Sequence, residues 1–302
     1  MKLEVIEDPR DQQIAQLESE LERRNRELEA ELQDARDVQM LLMPERAPYF
    51  EGLELTGKCL PANTVSGDFF DYLEGKHKKE IALVVADVTG KAMKGAMNAV
   101  MVDGILHAVA KDMEQLSPAF LMMGLNDVLT GRMEQYMNVT MVIGTIDSET
   151  KTLTFANAAH HAYPLLLRKG ELQTLKTGGL PLGMRAGIQY SEEQVTLQSG
   201  DVVIFMTDGI IEAQDSDSKM YSDSGRLEEI IKRFTQDMSA STMVDAIISD
   251  AMDFGGNKTN RDANPNARLR LSAKSNGRLS DKNPVGTGRL TDDMTVVVAR
   301  ML

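Results

Sequence analysis

Four short stretches of the chain place an aspartate where an apolar run begins or ends. Asp68 lies in VSGDFFD, Asp87 closes IALVVAD, Asp208 closes VVIFMTDG, and Asp292 and Asp293 open DDMTVVVA. Taken singly, each has a structural explanation, because Asp-Gly forms turns and Asp caps helices. Taken together they describe a shared site. Such apolar runs read as central strands, and strand ends converge along a sheet edge. Carboxylates held close together repel one another unless protons or cations intervene. A donor set of oxygens, without His or Cys, suits hard ions such as Mg²⁺ and Mn²⁺. Two such ions about 4 Å apart can activate a water and clamp a phosphoryl group for in-line attack. Hydrolysis then needs no protein nucleophile.

Other routes to hydrolysis lack their residues. Cys59 is the only cysteine, and LPANTVS follows it with no arginine to cradle a phosphate. No G-x-S-x-G elbow and no G-x-x-x-x-G-K-[ST] loop is present. His160 and His161 are adjacent, so on a strand they face opposite ways. One packed and one exposed histidine is the expectation, not a metal-binding pair.

The elements that must position these aspartates come in an informative order. Strand-like runs fall at 53–59, 81–87, 139–146, 152–156, 163–168, 194–197, 202–207 and 294–300. Helical patterns fall at about 92–111, 117–135, 226–237 and 241–253, with Ser117-Pro118 and Ser241 as helix starts. The helices come as two consecutive pairs and the strands as clusters. A doubly wound parallel sheet would alternate strand and helix. Antiparallel sheets covered by helix pairs fit better. The runs at 81–87 and 202–207 lack polar alternation, which predicts burial on both faces.

Upstream, residues 8–43 read as one helix that Pro44 stops. Ile14, Leu21, Leu28, Ala35 and Leu42 recur every seven residues, with Arg24 and Glu31 interrupting the adjacent row. This is a short coiled-coil seam, expected to dimerise or to carry a signal.

The 302 residues are 42% hydrophobic, enough for a substantial core. No apolar stretch approaches the ~18 residues that cross a bilayer, and the N-terminus has no apolar signal region, so a cytoplasmic protein is expected. A net charge of −13 argues against general nucleic-acid binding. The charge is uneven, with −6 over residues 1–43 and +6 over residues 255–290. The latter stretch is rich in Gly, Asn, Ser and Arg, lacks periodicity, and reads as a mobile basic insertion before the last strand.

Six motifs, in order and spacing, resemble one family: SGDFFD (66–71), ADVTGKA (86–92), ANAAH (156–160), GLPLGM (179–184), GDVVIFMTDGIIEA (200–213) and DDMTVVVA (292–299). They are similar to bacterial metal-dependent serine/threonine phosphatases of the PPM (type 2C) superfamily. The resemblance is strongest to the branch of the sporulation stage II and sigma-B-regulating phosphatases, and covers about residues 38–302. It implies an α+β fold, an α/β/β/α sandwich of two mainly antiparallel sheets, with residues 44–302 as the phosphatase domain. It implies that Asp87, Asp208 and Asp292 bind a pair of Mg²⁺ or Mn²⁺ ions, that Asp68 matches the first acidic metal-site position, and that the backbone carbonyl of Val88 is a further ligand. Asp293 supports the site from behind, and Lys91 is a candidate for phosphate contact. It further implies a phosphorylated protein substrate, usually an anti-anti-sigma protein of the STAS class, and an upstream helix that dimerises the enzyme and acts on the helices after the ADVTGKA turn.

Three positions depart from that pattern. Ala86, Ala92 and Ala159 stand where the family usually has glycine, and each methyl disfavours positive φ. The turn also lacks the histidine that eukaryotic relatives place beside their metal aspartate, so no general acid is assigned. The alternative to an enzyme is a catalytically weak, phosphatase-like binding module signalling through its helix.

Overall fold

β-Branched and apolar runs set the architecture, seen in a computed structural model that describes residues 9–40, 43–90, 93–132, 138–256 and 290–302. In chain order the main elements are α1 (Pro9–Met40), β1 (Leu53–Leu60), β2 (Asp68–Glu74), β3 (Glu80–Val88), α2 (Met93–Ala110), α3 (Pro118–Leu129), β4 (Val139–Asp147) and β5 (Thr152–Ala158). Then follow β6 (Leu165–Arg168), β7 (Glu171–Thr174), β8 (Glu193–Thr196), β9 (Val202–Met206), the single turn α4 (Asp208–Ile211), α5 (Arg226–Ile231), α6 (Ala240–Gly256) and β10 (Met294–Met301).

The strands form two five-stranded sheets, β1-β10-β9-β6-β7 and β2-β3-β4-β5-β8. Every strand pair within them is antiparallel. Side chains alternate between faces, so each central strand feeds two cores. On β3, Ile81, Leu83 and Val85 join Phe70, Val203, Phe205 and Val297 between the sheets. Ala82, Val84, Ala86 and Val88 face the other way, onto Ala99, Val102 and Leu106 of α2 and Leu121 and Leu125 of α3. On β9, Val202, Ile204 and Met206 pack under Val244, Ile247 and Ile248 of α6. Three apolar layers thus separate four layers of elements. The α/β/β/α sandwich expected from the element order is the fold.

The helix starts follow elementary capping. The Ser117 side chain accepts a bond from the Phe120 amide, with Pro118 in the first turn. The cap of α6 is Ser239, whose hydroxyl accepts from the Thr242 amide, and not the expected Ser241. α3 ends sooner than the pattern predicts. Gly131 adopts φ +78° just after it, the left-handed conformation that closes helices. Two strands, β2 and β7, had no strand reading in the sequence. β2 opens on Asp68 and lies at the edge of its sheet, so Asp68 does not end a central strand as expected. Most of the 255–290 stretch, residues 257–289, lies outside the described residues, as do Leu42, Lys91 and Ala92.

Candidate metal centre

Asp68 opens β2, and Asp87 stands directly opposite it on β3. Paired residues share a face, and here Phe70 and Val85, the next pair on that face, belong to the core between the sheets. Both aspartates therefore point into the seam between the sheets, at its end. The other sheet reaches this end through β9 and β10. Thr207 follows β9 and lies beside Thr295 of β10, with its amide donating to the Thr295 carbonyl at 3.0 Å. The hydroxyls of Thr207 and Thr295 both donate to Asp68 Oδ2, at 2.5 and 3.0 Å. A carboxyl of one sheet is thus held by two hydroxyls of the other.

Asp208 comes next in the chain, half-buried in the first turn of α4, with His161 Nδ1 3.8 Å from its Oδ2. His161 is exposed and its neighbour His160 is buried, as the adjacency predicts. His160 spans the sheets, with Nδ1 3.0 Å from Thr140 Oγ1 and Nε2 2.9 Å from the Met206 carbonyl oxygen. Asp292 is exposed and accepts from the Asp293 amide at 2.9 Å. Asp293 binds the β1–β2 connection. Its Oδ1 accepts from the Ala62 amide at 2.7 Å, and its Oδ2 accepts from the Ser66 hydroxyl and the Gly67 amide, each at 2.8 Å.

Two glycines let the backbones approach. A Cβ on Gly209 would lie 1.9 Å from the Asp293 carbonyl oxygen, and one on Gly67 would lie 2.7 Å from the Val88 carbonyl oxygen. Asp208-Gly209 is therefore not the turn its composition suggests. Its glycine makes room for the strand carrying the neighbouring aspartates.

The assembled charge is excessive. Burial first, then Asp87, pushes the Asp68 carboxyl well above its usual range, against the pull of the Thr207 hydroxyl. Burial first, then Asp208 and Asp292, pushes Asp87 up to about 7. Burial also raises Asp292, with Asp208 adding to it. Oxygen donors crowded beyond what water can screen are the donor chemistry of a hard divalent cation. The residues fit such an ion. No three of these five aspartates bring oxygens within 4.8 Å of one another, so the set is strung along the seam instead of gathered on one point.

Sequence reasoning missed Thr207, Thr295, Ser66 and Gln39. The threonines were visible as the residues next to the acids in MTDG and DDMT. Gln39 had no signal, since it lies in the last turn of α1 and reaches Ser66 across 27 residues of chain. Its Nε2 donates to the Ser66 carbonyl at 2.5 Å, and its Oε1 accepts from the Ser66 amide at 3.0 Å. The helix is thereby fastened to the loop that Asp293 holds.

Comparison with known proteins finds relatives of this chain. Phosphoserine phosphatase RsbU of Bacillus subtilis (strain 168) is 25% identical over 189 residues, which are 62% of this chain and 55% of RsbU. The match thus spans about half of that relative. Among solved structures, the SiaA-PP2C domain of Pseudomonas aeruginosa superposes with a TM-score of 0.70 at 17% identity, covering 91% of this chain and 98% of that one. RsbX in complex with magnesium superposes with a TM-score of 0.54 at 15% identity, covering 85% and 99%. These two likenesses show the fold. The family described as stage II sporulation protein E (SpoIIE) matches residues 77–264, more than half of the chain and the stretch that supplies Asp87 and Asp208. The chain belongs to the SpoIIE family.

Proposed function

We propose that the chain is a metal-dependent protein serine/threonine phosphatase, with residues 1–43 a signalling helix and 44–302 the phosphatase domain. The observation that carries this reading is the row of aspartates along the shared end of both sheets. Asp87, Asp208, Asp292 and the Val88 carbonyl would hold two Mg²⁺ or Mn²⁺ ions, with Asp68 as a further acidic position. The ions, when bound, supply an activated water and positive charge for the phosphoryl group. The rest is the work of the chain. Thr207 and Thr295 fix the Asp68 carboxyl, and Asp293 fixes the loop of Ser66 and Gly67. Lys91, outside the described residues, would contact the phosphate.

The substrate in this reading is a phosphorylated STAS-type protein, and α1 would pair with a second copy. Ile14, Leu17, Leu21 and Leu28 are exposed along α1, which supports an unpartnered seam. Among the described residues, no helix is long and apolar enough to cross a membrane.

The test is phosphate release from a Ser-phosphorylated STAS-type protein, with Mn²⁺, with a chelator, and with Asp208→Asn. The reading expects release that needs both the metal and Asp208. A folded protein inactive with either metal would replace it with a phosphatase-like binding module. For the helix, Leu21→Lys with Leu28→Lys should change the oligomeric state. An unchanged state by light scattering would end the dimer proposal.

A further inference from the structure

β2 carries a second buried acid. Asp71 lies three residues after Asp68, on the face toward the helices, between Phe69 and Leu73 of that core. Two side chains one turn apart on α2, Asp103 and His107, meet it there. His107 Nε2 lies 2.5 Å from Asp71 Oδ2 and 4.0 Å from Asp103 Oδ1. One donor atom from each of the three lies within 4.8 Å of the others. Asp71 and Asp103 are 6% and 5% exposed, whereas the His107 side chain is 54% exposed. Asp103 Oδ1 is buried and has no hydrogen-bond partner. A buried carboxylate oxygen left so is costly, and demands a proton or a cation.

We propose that Asp71, Asp103 and His107 form a second, separate site for a divalent ion of the zinc class. The imidazole makes the distinction. Mg²⁺ prefers oxygen throughout, whereas a mixed nitrogen and carboxylate set suits Zn²⁺. Three protein donors leave one position, and the exposed side of His107 gives water access to it. The i, i+4 spacing of DGILH puts Asp103 and His107 on one helical face, the same logic that makes paired histidines one turn apart a chelate. Donors at about 2.0–2.1 Å from a tetrahedral ion stand about 3.3 Å apart, so the His107–Asp71 contact opens by less than about 1 Å on loading. The ion takes the place of the hydrogen bond between them. A small cleft lined by Gln39, Met43, Phe69, Ala99 and Asp103 reaches the site from the side of α1. Binding there clasps α2 to the edge strand, close to where α1 packs on α2. Burial, and then Asp71, pushes Asp103 up to about 7, in keeping with a carboxyl that awaits a counter-charge.

The proposal does not depend on the phosphatase reading, and its test does not measure activity. Zn²⁺ is titrated calorimetrically into the full chain under saturating Mg²⁺, for the wild type, His107→Gln, Asp103→Asn and Asp208→Asn. One Zn²⁺ site is expected in the wild type and in Asp208→Asn, weakened at least about tenfold in His107→Gln and Asp103→Asn. Co²⁺ should give a visible absorption band that His107→Gln loses and Asp208→Asn keeps. Equal Zn²⁺ affinity in the wild type and His107→Gln overturns the site. So does loss of Zn²⁺ in Asp208→Asn alone, which would put the ion in the row of aspartates. If Asp103→Asn fails to fold, the half-exposed His107→Gln decides.

Discussion

Asp68 and Asp71 are neighbours on one strand, yet they face different chemistries. Asp68 points into the seam between the sheets, where two threonine hydroxyls hold it and the carboxylates of Asp87 and Asp293 stand near it. Asp71 points toward α2, where an imidazole and one further carboxyl meet it. Both are acids at the edge of the same sheet, and both are buried. What differs is the partner supplied by the opposing element, a strand end on one side and a helix face on the other. The lesson is that a carboxylate's ion preference is written in what lies across from it, not in its own motif. SGDFFD carries both acids, and the motif alone does not separate them.

The largest effects are expected at the seam. Asp87→Asn or Asp208→Asn should lower phosphate release by about 10³-fold, the several kcal/mol that an ion contributes to a phosphoryl transition state. Chelation should match that loss, and added Mn²⁺ should restore the wild type but not the variants. Thr207→Val is gentler. It removes one hydroxyl from Asp68 and leaves every proposed ligand in place, so activity should fall about 10–100-fold in steady-state assays.

Asp293→Ala strands the amides of Ala62 and Gly67, whereas the Ser66 hydroxyl keeps the Asp68 carbonyl as acceptor at 3.1 Å. Urea unfolding should show a loss of about 3 kcal/mol, since each unpaired buried group costs about 1–3 kcal/mol and water regains part of it. Cys59 offers a probe beside the same loop, with its Sγ 3.7 Å from Ser66 Oγ. Burial first, then Asp68, pushes its thiol up to about 12. A raised thiol pKa means little thiolate at pH 8, so alkylation should be about 10³-fold slower than for an ordinary cysteine, and should quicken as pH rises. Labelling at the ordinary rate would show the loop to be open.

The smallest effect lies at Ala159. It adopts φ +55°, where glycine is at ease and alanine is strained. Ala159→Gly should stabilise the fold by about 1 kcal/mol, raising Tm by about 2–4 °C.

Much of this was legible in the residues. The apolar runs at 81–87 and 202–207 disclosed burial on both faces, and the clustering of helices in pairs disclosed the layers. The aspartates at run ends pointed to one edge of the sandwich, and the missing glycine in ANAAH marked a position of positive φ. Other features were invisible for physical reasons. β2 lies at a sheet edge, and its residues DFFDYLE mix acids with aromatics while nearly all are buried, so no polar alternation marked it. The threonine hydroxyls act across the seam between sheets, a contact no local pattern encodes. Gln39 reaches Ser66 by tertiary packing alone. Asp71, Asp103 and His107 come together from a strand and a helix, and only the D-x-x-x-H half of that cluster has a sequence spacing.

Asp68 belongs to one sheet, and the hydroxyls that hold it belong to the other, so the two halves of the sandwich are riveted at the site itself. Prising the sheets apart and emptying the centre become a single event. By mass action, whatever concentration of ion fills the centre also adds to the free energy of unfolding, by about 2.7 kcal/mol at a hundredfold excess over its dissociation constant. Under the proposed metal centre, the melting curve of this protein would be a binding isotherm in disguise: recorded against Mn²⁺ concentration, Tm should climb without a plateau in the wild type and climb much less in Asp208→Asn.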